Sequence, residues 1–215
     1  HTRVTDERGC ELAKVTAFVT CEREGRPHLL LFEHPLAGVQ LPAGSIEDGE
    51  EPIAAALREV AEETGVSGLR DATELASART ELAPGSAVLL ARLVPRTEPH
   101  PDALSCGAGL SRGLTVEVLD RWTDFARIRY DELDRRRVPP MLVARTVGWV
   151  QAHLLGGVVV RHYVHLRHDG SGPARWTQDA DGHRFAPFWA PLVPRPAICE
   201  AQEAWLDAVY EQLLL

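Results

Sequence analysis

Most of the apolar and polar pattern of this chain reads as short strands, and a helical period appears clearly in only two places. Residues 14–22 (KVTAFVTCE) and 27–34 (PHLLLFEH) read as two strands joined by the turn REGR. A short strand at 38–44 (GVQLPAG) runs into a glycine-containing loop. The first helical stretch follows: Pro52 suits a first turn and Gly65 suits the position just past the last. Ile53, Leu57, Val60, Ala61 and Thr64 are expected on its apolar stripe, and Glu59, Glu62 and Glu63 on another face. Strand patterns return at 72–80 and 86–94, and a proline-rich, irregular stretch covers 95–105. Residues 113–133 predict two short strands around a turn, followed by an apolar segment at 143–155 and strands at 156–169 and 183–192. The second helical period closes the chain, with Ile198, Trp205, Leu206, Val209 and Leu213 on one side.

Charge changes this picture at one place. The stretch GSIEDGEEPIAAALREVAEETGV, residues 44–66, carries seven acidic side chains. Three of them crowd the C-terminal half of the first helix, where the macrodipole disfavours anions. Like charges three and four residues apart also repel. A solvated face explains such a cluster poorly, and a bound cation would remove both penalties. Arg58 supplies one positive charge against them.

The spacing is specific. Gly44 is followed by five residues and Glu50, then by seven residues and Arg58-Glu59-Val60-Ala61-Glu62-Glu63-Thr64-Gly65-Val66. This resembles the signature of the Nudix hydrolases at every defined position. The resemblance implies an α/β (α+β) fold, the Nudix α/β/α sandwich with a mixed sheet. It implies a hydrolase that cleaves the phosphoanhydride of a nucleoside diphosphate linked to another moiety, with Mg²⁺ or Mn²⁺ as cofactor. Glu59, Glu62 and Glu63 would surround the metal, supported by Glu50 and by Gly44 through its carbonyl. Glu59 or a nearby carboxylate would act as general base, with Glu59, Glu62 and Arg58 as the catalytic group and Arg58 orienting the glutamates. The preceding LPAG (41–44) resembles ADP-ribose and sugar-nucleotide hydrolases of the superfamily, although Pro84 stands off the register those enzymes show. Two other readings stay open: a nucleotide-binding module without turnover, and a Nudix fold with different diphosphate chemistry. A homodimer is compatible with the family.

Composition narrows the rest. A net charge of −8 argues against non-specific nucleic-acid binding. The four cysteines are widely spaced, so neither a disulfide framework nor a zinc ribbon is expected. The absence of a long apolar run and of a recognisable leader makes the cytoplasm the expected location and a membrane an unexpected partner.

A Nudix core is shorter than this chain, and the excess falls near 83–156. The expected organisation is therefore a core at 1–82 and 157–215, interrupted by a β-rich segment. Within that segment RGLTVEVL (112–119), DFARIRY (124–130) and VGWVQAHL (147–154) resemble bacterial SH3-like barrels. Among other polar residues, His162 and His168 share one strand face while His165 takes the other, which argues against a joint metal site. Asp179 and Asp181 lie in a polar loop that reads mainly as a turn, and Trp176, Phe188 and Trp189 read mainly as core.

Overall fold

The computed structural model describes residues 10–180 and 182–215. Among the described residues, thirteen strands and two α-helices build two sheets and two compact units. Of the described residues, one unit comprises those within 14–78, 135–139 and 161–215, and the other those within 10–13, 79–134 and 140–160.

In the first unit, β1 (Glu11–Arg23) and β2 (Arg26–His34) form an antiparallel hairpin around Glu24 and Gly25, both with positive φ. The strand expected at 38–44 is two: β3 (Gly38–Gln40) pairs with β2, and β4 (Ala43–Ser45) pairs with β1. Pro42 separates them because it has no N–H for a ladder. Its carbonyl instead accepts from the Ala17 amide at 2.8 Å.

Helix α1 (Pro52–Thr64) follows, then β5 (Arg70–Glu81). Later come β11 (Val158–Arg167), β12 (Gln178–Ala180), β13 (His183–Pro191) and the terminal helix α2 (Glu200–Leu213). The sheet runs β12-β13-β2-β1-β11-β5, with β3 and β4 attached to β2 and β1. Under α2 lies a core of Phe18, Leu29, Leu31, Tyr163, Leu192, Leu206 and Val209. Gln202, inside that interface, accepts from the Leu41 amide at 2.6 Å and donates to its carbonyl at 3.5 Å. Leu30 and Phe32 alternate to the opposite face and are equally buried; Phe32 stacks on Phe185 there.

The other unit carries an antiparallel sheet in the order β10-β6-β7-β8-β9. Its strands are β6 (Ser86–Leu89), β7 (Thr115–Trp122), β8 (Phe125–Asp134), β9 (Met141–Gln151) and β10 (Leu155–Gly156). Among the described residues no pairing joins the edges β10 and β9. β6 stops well short of the expected residue 94, because the chain beyond Leu89 keeps only single bridges such as Leu93–Leu110. Ala87, Leu89, Val116, Ala126, Ile128 and Val150 form this sheet's own core.

The apolar stripe expected on α1 is only partly the one the fold buries. Ala55, Ala56, Glu59, Val60 and Thr64 are buried, whereas Leu57 is 38% exposed and Ala61 exposed. Ala55, Ala56 and Glu59 take the buried positions expected of Leu57 and Ala61. The cause is the partner that Glu59 finds, described next.

Candidate active site

Helix α1 is fixed at both ends without a side-chain N-cap. Pro52 opens it, and at the other end Gly65 adopts φ 72° and donates its amide to Ala61 O at 2.9 Å. Two residues from the far end of the chain complete the C-terminus. Trp176 Nε1–H donates to Thr64 O at 2.6 Å and Gln178 Nε2–H to Glu62 O at 3.2 Å. These carbonyls belong to the last helical turn, which has no intrahelical partners. The sequence pattern places Trp176 mainly in the core and does not mark Gln178. Only their placement on the strand side of α1 shows that they hold the acidic turn in position.

Arg58 is the centre of the acidic cluster. Its Nε and Nη2 grip Glu50 as a fork, at 2.9 and 2.8 Å. Nη1 donates to Glu59 at 2.7 Å and reaches Glu62 at 3.4 Å, and Nη2 also donates to Ser45 O at 2.9 Å. A bidentate guanidinium–carboxylate pair fixes direction as well as charge. Glu50 is held below its ordinary carboxylate value chiefly by the Arg58 hydrogen bonds, and Arg58 is correspondingly raised by Glu50 and Glu59. Glu50 also accepts from the Glu47 amide at 2.9 Å, which closes the loop before the helix.

Glu59 is only 9% exposed and lies against Gly44 of β4. A Cβ on Gly44 would overlap the Glu59 carboxylate outright. The glycine is therefore needed so that Glu59 can enter, a reason distinct from the expected clearance for a carbonyl–metal contact. Glu63 accepts from the Ala43 amide at 2.9 Å. The outward edge of β4 is thus satisfied by α1 side chains, Ala43 N–H by Glu63 and Ser45 C=O by Arg58. Glu62, with a side chain 58% exposed, is the most open of the group.

The structure brings together Gly44, Glu50, Arg58, Glu59 and Glu62, with Glu63 bonded to the neighbouring Ala43. As arranged, no three His, Cys, Asp or Glu side chains among the described residues converge on one metal-ligating point. The cause is visible: Arg58 lies between Glu50, Glu59 and Glu62. The donors themselves are all carboxylate oxygens, which suits a hard divalent cation.

Residues outside the cluster separate from it. His165 Nε2 lies 2.7 Å from Thr20 Oγ1, His162 Nδ1 lies 2.6 Å from Glu74, and His168 stacks on Trp189. Burial pushes His165 down, away from the charged form. The segment around 177–183 is a hairpin rather than a loop, with Asp179 paired to Arg184 at 3.1 Å. Asp181 lies outside the described residues.

The Nudix domain family matches residues 12–138, more than half of the chain. The chain belongs to the Nudix family. Membership places it among the Nudix pyrophosphohydrolases, which act on diphosphate compounds and generally use divalent metals. The match ends at 138, yet the sheet that carries the Nudix box continues through β11 and β13. Among solved structures the chain is similar to the NUDIX domain of Shewanella oneidensis NrtR complexed with ADP ribose. Identity is 14% and the TM-score 0.47, over 95% of this chain and 89% of that one. It is also similar to C. elegans Ap4A hydrolase, with 12% identity and a TM-score of 0.38, over 96% and 100%. No helix among the described residues is long and apolar enough to cross a membrane.

Proposed function

We propose that the protein hydrolyses the phosphoanhydride of a nucleoside diphosphate linked to another moiety, of ADP-ribose or sugar-nucleotide type, with Mg²⁺ or Mn²⁺. The observation that carries this reading is the Arg58 fork, which gathers Glu50, Glu59 and Glu62 while Glu59 seats on Gly44. A family member that had lost catalysis would have no need of such an ordered set of carboxylates.

Glu59, Glu62 and Glu63 would hold the metal, with Glu50 and Gly44 in support. When bound, the metal neutralises diphosphate oxygens and lowers the pKa of coordinated water. The chain's own residues do the remainder. Arg58 offsets the mutual repulsion of the carboxylates and keeps their spacing. Glu50 anchors Arg58 and ties it to the loop before α1. Glu62 is held by Arg58 only at 3.4 Å and is open to solvent, which supports a general-base role for it beside Glu59. Four free cysteines support a reducing compartment such as the cytoplasm.

The test is a substrate panel with wild type and Glu62→Gln. ADP-ribose, sugar nucleotides, dinucleoside polyphosphates and nucleoside triphosphates are each incubated with Mg²⁺ or Mn²⁺, and products are separated by chromatography. Turnover by wild type that falls by roughly 10² or more in Glu62→Gln supports the reading. Metal-dependent nucleotide binding without turnover by either protein would replace it with a binding module.

A further inference from the structure

Arg161 on β11 is a cation without an acid. Its Nη1 donates to Thr16 Oγ1 at 3.1 Å and to Val15 O at 3.4 Å, both on β1. Its guanidinium lies over the Trp205 ring of α2, 3.7 Å from the centroid. Among the described residues no carboxylate pairs with it, and Tyr163 is the ionisable group there that raises its proton affinity. Burial lowers its pKa to about 10. Other half-buried arginines here, such as Arg58 and Arg195, do have carboxylate partners.

Arginine carries five N–H donors, and Nη1 makes all the hydrogen bonds of Arg161. Its Nε and Nη2 are not sealed off, since among the described residues Arg195 Nε is the only buried side-chain nitrogen or oxygen without a partner. A desolvated guanidinium with open donors, backed by an indole face, is the arrangement that favours a bidentate oxyanion.

Its position relates it to the Nudix box. Sheet order places β11 beside β1, and Val15 and Thr16 of β1 pair with Gly44 and Ala43 of β4. Two strand spacings, about 10 Å, separate β11 from β4. Alternation puts Gly44 toward α1 and Thr16, with Arg161, toward α2. β4 is three residues long and ends at Ser45, whose register partner is Lys14, the chain's only lysine. Lys14 shares the face of Thr16. Lys14 and Arg161 therefore lie on one face of the sheet.

We propose that Arg161 binds a phosphoryl group of the substrate on the α2 side of the sheet, and so determines specificity for a second phosphate-bearing or anionic end. The ligand passes the end of β4 beside Lys14, with its scissile anhydride at the acidic cluster. This rests on the hydrolase reading for the identity of the ligand, but the site itself is testable apart from turnover.

Arg161→Met keeps the aliphatic stem against Trp205 and removes the donors. With the best substrate of the panel, KM is expected to rise roughly tenfold to a hundredfold, with the loss in KM rather than kcat. Calorimetric titration with ADP of Glu62→Gln, with and without Arg161→Met, is expected to show the same loss of affinity. Wild-type KM and ADP affinity in the Met variant would overturn the proposal and leave the hydrolase reading standing. No turnover by wild type, together with Arg161-dependent ADP binding, would overturn the hydrolase reading and leave the site. Should the Met variant fail to fold, Arg161→Lys carries the test: it keeps the charge but not the fork, and at least a threefold rise in KM is expected. A Lys variant with wild-type KM and ADP affinity overturns the proposal.

Discussion

At the scale of single residues, Gly44 is the most constrained position of the site. Its hydrogen is all that fits beside the Glu59 carboxylate. Gly44→Ala is expected to push Glu59 out of place and reduce kcat by roughly 10², the usual penalty for a displacement near 1 Å in a catalytic group. Steady-state kinetics beside a thermal melt separates that loss from unfolding. Glu50 gives a second prediction. Its pKa is depressed in the folded protein, chiefly by Arg58. The unfolded chain therefore binds more protons in acid, so the pair stabilises the fold fully above the ordinary Glu value of 4.5. That contribution is lost as pH falls through the lower folded value. Glu50→Gln is expected to remove this part of the acid sensitivity, seen as a shallower fall of Tm below pH 4.5 than in wild type. An equal fall in both proteins would show that the Arg58–Glu50 pair does not set it.

At the scale of elements, α1 depends on groups distant in sequence. Trp176 serves as a cap for its final turn, although it lies more than a hundred residues later. Trp176→Phe keeps most of the ring and removes the donor. The expected cost is about 0.5–1.5 kcal/mol, a fall in Tm of a few degrees for a chain of this size. Differential scanning calorimetry reads it, and no fall would mean that water replaces the indole. The apolar pattern was a reliable guide to β1, β2, β7 and β8, although β1 and β2 are buried on both faces and only β7 and β8 carry exposed positions between buried or half-buried ones. The pattern was misleading on α1. Leu57 is the larger hydrophobe, but the fold turns Ala55 and Ala56 inward so that the helix approaches the sheet closely and Glu59 meets Gly44.

At the scale of the whole molecule, each sheet has its own apolar core. The cluster of Ala87, Leu89, Leu110, Val116, Ile128 and Val150 lies entirely within 83–156, while the cluster under α2 draws on none of those residues. Leu82 N–H donates to Gly157 O at 2.8 Å, so the two ends of the segment are adjacent. We expect a chain in which two glycines replace 83–156 to remain folded, with a single cooperative melt by circular dichroism. It loses the contact of Arg135 N–H with Leu36 O, and a non-cooperative melt would show that the core depends on the segment.

The sequence by itself determined the Nudix box, the start and end of its helix, the strand periodicity and the identity of the carboxylates. These are local properties: spacing on one helix, turn chemistry and hydrophobic period are written in neighbouring residues. Only the tertiary structure decided which carboxylate is buried, what Gly44 accommodates, which residues cap α1 and where Arg161 lies relative to the box. Each of those depends on contacts between strands and helices far apart in the chain. Such contacts follow from sheet order and register, and no local pattern encodes them.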